Sequence, residues 1–263
     1  MMNRFEKLFL EKKKVRFVPF FTLGDPSFNE SLNLIKTAID AGADALELGF
    51  PFSDPVADGP TNQRSMARGL KAKMDVDQCL KLIKAIRNYN KEIPIGLLLY
   101  YNLIFKRGDK IYQELQDVGV DAVVSADLPL EESKAHQEKL KKHNIGVVQM
   151  VAPNTPLKRA KILFDQSNAF TYVLSGFGPT GAKKTLAKET LDRVEELRAI
   201  TDKPMIVGFG LSEPEHVKLI CQKGADAAIV GSYFSSIIEN NLDNPKGAQQ
   251  IIGDFILKVN EHA

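Results

Sequence analysis

The chain has 263 residues, and its 35 lysines and arginines against 33 aspartates and glutamates leave a formal charge of only +2, with 44% hydrophobic and 26% charged residues. That balance lacks the basic footprint of a nucleic-acid binder, and the length suits two small domains or one large barrel with an ample core. The longest mostly apolar stretch, Ile93 to Phe105, contains Pro94 and Asn102 and falls short of the roughly 20 residues that span a bilayer.

Near the start, Phe5, Leu8 and Phe9 are spaced as one helical face, and Glu6 and Lys7 interrupt what a signal peptide would need as an unbroken apolar core. An extra N-terminal helix is therefore expected, with Lys12 to Lys14 as its solvated basic end. Cys79 and Cys221 lie far apart, with no His or Cys at metal spacing, so neither a disulfide framework nor a zinc site is expected and the chain reads as a reduced, cytoplasmic protein.

Further along, short apolar runs of strand length alternate with stretches of helical period, the signature of parallel βα units. Strands are expected near Phe17 to Thr22, Ala45 to Gly49, Ile95 to Tyr100, Ala122 to Ala126, Gly146 to Val151, Phe170 to Leu174, Met205 to Gly208 and Ala227 to Val230. Capping boxes at Ser27 with Glu30 and at Ser212 with Glu215 mark helix starts, as does Asn244 before Pro245. Three strands are preceded by one pattern, Gly42-Ala-Asp44-Ala45, Gly119-Val-Asp121-Ala122 and Gly224-Ala-Asp226-Ala227, whose glycines suit left-handed helix ends. With no Gly/Ser or Pro-rich linker, the expectation is α/β: a single (β/α)8 TIM barrel over residues 1–263, with the extra N-terminal helix and a long loop after strand 2, from Gly49 to about Met74.

In such a barrel, chemistry sits at the C-terminal ends of the strands. Alternation in ALELG turns Glu47 inward if Leu46 and Leu48 pack outward against helices. Two readings stand: a structural carboxylate satisfied by amides or a base, or a catalytic one. The loop after it carries Asp54 and Asp58; Asp58 before Gly59 suits a plain turn, yet the loop can also fold back and set a second carboxylate opposite Glu47, dividing acid and base roles. Glycines follow the last three strands, at Gly176, Gly178 and Gly181, at Gly208 and Gly210, and at Gly231 before Ser232. Close backbone approach, together with a helix beginning at about Ser232, predicts a phosphorylated small-molecule substrate. Gly176 to Gly181 is literally G-x-G-x-x-G, but Pro179 lies inside it and no apolar-faced helix follows at once, against a dinucleotide site. The expected strands hold no lysine, and His136, His143, His216 and His262 fall in charged helical or terminal segments and read as surface groups. Neither a Schiff base nor a metal is indicated, which leaves carboxylate acid–base chemistry on an anchored phosphate ester.

At these residues the chain resembles the tryptophan synthase alpha subunit family. The run Leu46 to Gly59, LELGFPFSDPVADG, is similar to the family signature throughout, and FVPFFTLGDPS, IPIGLLLYYN, ADLPLEES, Tyr172 to Gly181, GFGLSEPEHV and the late Gly-Ser pair follow in family order, over about Phe5 to Ile252. The resemblance implies a lyase of tryptophan biosynthesis that cleaves indole-3-glycerol phosphate into indole and glyceraldehyde 3-phosphate. Glu47 would be the acid–base residue, and Asp58 would accept the indole N–H and stabilise the charged ring. Phe20, Leu98, Tyr100, Tyr172 and Phe209 would enclose the indole, each having an alternative as plain barrel core. Gly181, Gly210, Gly231 and Ser232 would hold the phosphate, and Thr180 would help orient Asp58. No cofactor is implied in this chain; a PLP-dependent beta subunit would receive indole in an α2β2 complex, facing Pro51, Asn102 and Pro129. Gly176 and Pro179 depart from the family, and Asn62 stands where an apolar residue often lines the pocket. Two rivals remain: another phosphate-binding barrel, such as an isomerase, and a catalytically weak regulatory subunit that activates its partner.

Overall fold

The structure, a computed structural model, describes residues 2–174, 188–208 and 210–261. Helix α1 (Arg4–Leu10) precedes β1 (Phe17–Thr22) and α2 (Phe28–Asp40). Two helices, α3 (Pro60–Lys71) and α4 (Val76–Tyr89), follow β2 (Leu46–Gly49), and two more, α5 (Tyr101–Arg107) and α6 (Lys110–Val118), follow β3 (Ile95–Leu99). Then come β4 (Ala122–Ser125), a short 3-10 turn (Leu130–Glu132), α7 (Lys134–Lys142), β5 (Gly146–Val151), α8 (Leu157–Gln166) and β6 (Thr171–Leu174). The chain continues through α9 (Lys188–Arg198), β7 (Met205–Gly208), α10 (Pro214–Gln222), β8 (Ala227–Val230), α11 (Ser232–Asn240) and α12 (Pro245–Asn260).

All eight strands pair in parallel in chain order, and β8 returns to β1, closing the barrel that the alternation predicts. Four strands are one residue shorter than expected, without Ala45, Tyr100, Ala126 and Phe170. No helix among the described residues is long and apolar enough to cross a membrane.

Two apolar clusters follow from the period of two. Leu46, Leu48, Val123 and Val207 point outward and pack with helix residues such as Leu34, Ile35 and Ile83. Inside the barrel lie Val18, Phe20, Leu98, Val124, Val148, Tyr172, Ile206 and Ile229. Helix α1 closes the N-terminal end of this interior. Asn3 and Glu6 form a capping box at its start, and its buried face places Phe5 and Leu8 among Ala45, Ala122, Ala169 and Ala227, with Phe5 against Phe170 at 5.0 Å between rings. The small alanines at the strand starts make room for that plug.

The repeated Gly-x-Asp pattern acquires a physical reason. Gly42, Gly119 and Gly224 have φ of 92°, 84° and 111°, conformations that glycine adopts without strain. The aspartate two residues on accepts the first amide of the preceding strand: Asp44 from Phe17, Asp121 from Ile95, Asp226 from Met205, each at 2.8 Å. Each also takes a cation, from Lys13, Arg87 and Arg198 in turn. Lys13 is therefore a strand clamp rather than part of a solvated patch.

Three further expectations need correction. The long loop after strand 2 is interrupted by a helix, α3, which begins at Pro60 behind Gly59 as N-cap and leaves 50–59 and the short turn 72–75 irregular. His136 and His216 are buried, each 4% exposed, not surface groups. His136 sits between the Tyr112 hydroxyl at 2.9 Å and the Ser125 hydroxyl at 3.0 Å, and burial lowers its pKa to about 4. His216 accepts the Ser212 amide at 3.3 Å, while His262 lies outside the described residues. Helix α10 starts one residue later than a box at Ser212 would put it, with Glu213 as N-cap and Pro214 in its first turn; Asn244 caps α12 as expected, and Ser27 caps α2 through the Glu30 amide, while the Glu30 carboxylate accepts the Ser27 hydroxyl and not its amide.

Candidate active site

A pocket opens at the C-terminal end of the barrel. Its wall includes Phe20, Glu47, Asp58, Leu98, Tyr172, Gly210, Gly231 and Ser232, together with Ala57, Asn62, Ala126, Met150 and Ile229. Glu47 and Asp58, separated in sequence by a turn-rich loop, thus face one cavity.

Glu47 is brought there by register. It pairs with Phe20 of β1 on one side and Gly96 of β3 on the other, and the outward packing of Leu46 and Leu48 turns it inward. It is 3% exposed, and its Oε1 has no hydrogen-bond partner among the described residues. Loss of hydration, with a smaller contribution from the charge of Asp58, raises its pKa from 4.5 to about 8. The carboxyl therefore holds a proton at neutral pH. A structural carboxylate would be surrounded by amides or a base, and among the described residues none bonds Glu47 Oε1.

Asp58 has the opposite surroundings. The Tyr100 hydroxyl donates to its Oδ2 at 2.6 Å, and the Asn62 amide donates to its Oδ1 at 3.2 Å. Burial raises its pKa and these two donors pull it back. Tyr100 is fully buried, stacks on Phe52 at 4.9 Å and accepts the Ala57 amide, so it reaches the site through Asp58 rather than as pocket wall. Asp54 stays exposed on the same loop.

The loop is held from below by a group that sequence reasoning missed. Asp25, after β1, is buried, accepts the Ser65 hydroxyl at 2.6 Å and pairs with Arg68 at 2.6 Å, both on α3. Arg64 and Arg68 of α3 also meet Glu239 of α11. The only sequence signal was an aspartate in a Gly-Asp-Pro turn, which reads as turn chemistry.

The glycines divide into two kinds. A Cβ on Gly208 would lie 2.4 Å from the Tyr172 hydroxyl, one on Gly49 would lie 2.8 Å from the Phe20 ring, and one on Gly231 would lie 3.1 Å from it. These three make room for the aromatic walls. Gly210 instead has φ of 74° with none of the described residues within 4 Å of where a Cβ would stand, and Gly231 is the N-cap of α11, whose first residue, Ser232, lines the pocket. Backbone amides at that helix start suit an anion. Thr180, Gly181 and Phe209 lie outside the described residues, as do Gly176, Gly178 and Pro179.

A second cavity, about 580 Å³, runs over the ends of β4 and β5 and shares Ala57, Ala126 and Met150 with the first. Pro129 is on its wall and, like Asn102, is exposed at this end of the barrel, whereas Pro51 is buried against Gly69 of α3.

The family model described as tryptophan synthase alpha chain matches residues 5–261. The chain belongs to the tryptophan synthase alpha chain family. Among curated members, the tryptophan synthase alpha chain of Citrobacter koseri is 43% identical over 248 residues, covering 93% of this chain and 92% of that one. The member from Methanothermobacter thermautotrophicus is 41% identical, covering 90% and 88%. Among solved structures, the tryptophan synthase complex from Pyrococcus furiosus superimposes with a TM-score of 0.86 at 32% identity, covering 95% of this chain and 99% of its match. The subunit alpha structure from Legionella pneumophila gives 0.88 at 29% identity, covering 100% and 98%. The family resemblance read from Leu46 to Gly59 is thus borne out over nearly the whole chain.

Proposed function

We propose that this chain, a carbon–carbon lyase of tryptophan biosynthesis, cleaves indole-3-glycerol phosphate to indole and glyceraldehyde 3-phosphate with Glu47 as acid–base residue and Asp58 as its electrostatic partner. The observation that carries this reading is the Glu47 carboxyl, buried and, among the described residues, without a partner on Oε1, in a cavity that Asp58 shares. Protonated Glu47 gives its proton to the indole carbon bearing the glycerol chain. The resulting carboxylate takes the proton of the adjacent side-chain hydroxyl, the carbon–carbon bond breaks, its electron pair flows into the charged ring, and the hydroxyl carbon leaves as the aldehyde. Asp58, whose charged form the Tyr100 and Asn62 donors favour, faces the ring nitrogen and stabilises the positive charge that develops there. Phe20, Leu98 and Tyr172 form the aromatic and aliphatic walls for the ring, with Gly210, Gly231 and Ser232 at the phosphate end. The ring is the electron sink, so this chain's own residues suffice for the step.

Incubation of the purified chain with indole-3-glycerol phosphate should release indole. Glu47→Gln, which keeps shape but cannot relay the proton, should lower the rate on the order of 100- to 10,000-fold. An isomerase would give no indole, and wild-type rates in the variant would remove Glu47 from the mechanism.

We further infer an α2β2 assembly in the cytoplasm, in which indole passes to a PLP-dependent beta subunit. A solved Pyrococcus furiosus relative is described as a tryptophan synthase a2b2 complex. The large cavity leads from the indole side of the site toward Pro129, and Asn102 is exposed at the same end, which supports a partner seated there. Two buried free thiols, Cys79 and Cys221, agree with a reducing compartment.

A further inference from the structure

Asn62 lies on the first turn of α3, buried to 7% exposure, and joins two parts of the site that the chain reaches separately. Its Nδ2 donates to Asp58 Oδ1 at 3.2 Å, and its Oδ1 accepts the Ser235 hydroxyl at 3.0 Å. Ser235 sits on α11, one turn beyond Ser232.

We propose that Asn62 is a positioning residue for Asp58, and that Ser235 fixes the side-chain amide of Asn62 with its NH2 end toward the carboxylate. The assignment of the two ends follows from chemistry. An ionised carboxylate only accepts, so an amide turned the other way would set oxygen against oxygen and waste the donor. The Ser235 hydroxyl donates to the amide oxygen in that orientation and holds the side chain in place. Tyr100 holds the other carboxylate oxygen at 2.6 Å. With one donor on each oxygen, the plane of the carboxylate is set and each oxygen keeps a lone pair for a ligand in the pocket. An apolar side chain at position 62 would leave Asp58 half-buried with Tyr100 alone. Because Ser235 and Ser232 share α11, the same contact ties Asp58 to the helix start at the phosphate end. This inference rests on the reading of Asp58 as the group that stabilises the charged indole ring.

The test compares Asn62→Leu, Ser235→Ala, Asp58→Asn and the Asn62→Leu/Asp58→Asn double variant, with kcat and KM for indole release measured across pH. Loss of a hydrogen bond to a charged group predicts a kcat lower by about 10- to 100-fold in Asn62→Leu, with KM changed much less. The acid limb of its profile should move to higher pH, because the carboxylate has lost a donor that favours its charged form. Ser235→Ala should show the same shift with a smaller loss, roughly threefold. The double variant should be no slower than Asp58→Asn, since Asn62 acts only through Asp58. An unshifted acid limb with wild-type kcat in Asn62→Leu overturns the proposal while Asp58→Asn is inactive; so does a double variant slower than Asp58→Asn. Should Asn62→Leu not fold, Ser235→Ala decides, and a wild-type profile there overturns the proposal. Full activity in Asp58→Asn overturns the underlying role of Asp58 instead.

Discussion

At the scale of single residues, the catalytic proposal makes Glu47 a burden on stability. An unfolded chain ionises this carboxyl near 4.5 and the folded chain only near 8. Between those values the folded state holds a proton that the unfolded state has released, so stability rises as pH falls. The contribution is fully present below about 4.5 and is lost as pH climbs through about 8. Glu47→Gln never ionises and escapes the penalty. Urea titration should find it more stable than wild type by on the order of 3 kcal/mol near pH 9 and equal near pH 4, while indole release collapses. The wild-type kcat should fall as pH rises through about 8, where Glu47 loses the proton it has to donate. Equal urea midpoints near pH 9 would show that the carboxyl finds a partner in solution.

Between elements, the recurring aspartate clamps differ in what their loss uncovers. Asp121 holds the Ile95 amide and pairs with Arg87 and Arg4, and the Arg87 side chain is only 6% exposed. Asp44 pairs with Lys13, whose side chain is 28% exposed and free to turn to water. Asp121→Ala leaves a buried guanidinium uncompensated and should cost about 3–5 kcal/mol in chemical denaturation, whereas Asp44→Ala should cost about 1–2 kcal/mol, the loss of an amide partner. Equal costs would mean that the amide, not the cation, is what the aspartate serves. This contrast also shows what the sequence makes legible. The Gly-x-Asp-Ala repeats and the strands declare themselves because their spacing is local and repeated. Helix α3 hides because its buried face is Asn62, Ser65, Met66 and Gly69, with one large apolar side chain among them, which a search for apolar runs passes over. His136 hides for the same reason: it occupies a buried position on the lysine-rich α7, where its hydrogen-bond partners come from α6 and β4. Glu47 and Asp58 could be read as a pair, but their different hydrogen bonding could not, since Tyr100 reaches Asp58 from the end of β3 and Asn62 turns back to it from α3.

For the whole molecule, the two ends of the barrel divide labour. The N-terminal end is sealed by α1 and clamped by ion pairs, while the C-terminal end carries the pocket, the adjoining cavity and an exposed rim of Asn102, Pro129 and Val56, the last 82% exposed. If a beta subunit receives indole, it docks on that rim and not on the sealed end. Pro129→Asp should then weaken binding of a tryptophan synthase beta subunit about 10- to 100-fold, as a charge does at the centre of an apolar contact. Leu10→Asp, at an equally surface-borne side chain 70% exposed on α1, should leave that affinity unchanged. Both variants should release indole at the basal rate of the free chain, because neither residue lines the pocket that holds Glu47 and Asp58. Sedimentation of the mixed subunits, read beside indole release with and without the partner, separates the cases. Weakened binding in Leu10→Asp with none in Pro129→Asp would put the partner at the wrong end for indole to reach it through the cavity beside β4 and β5.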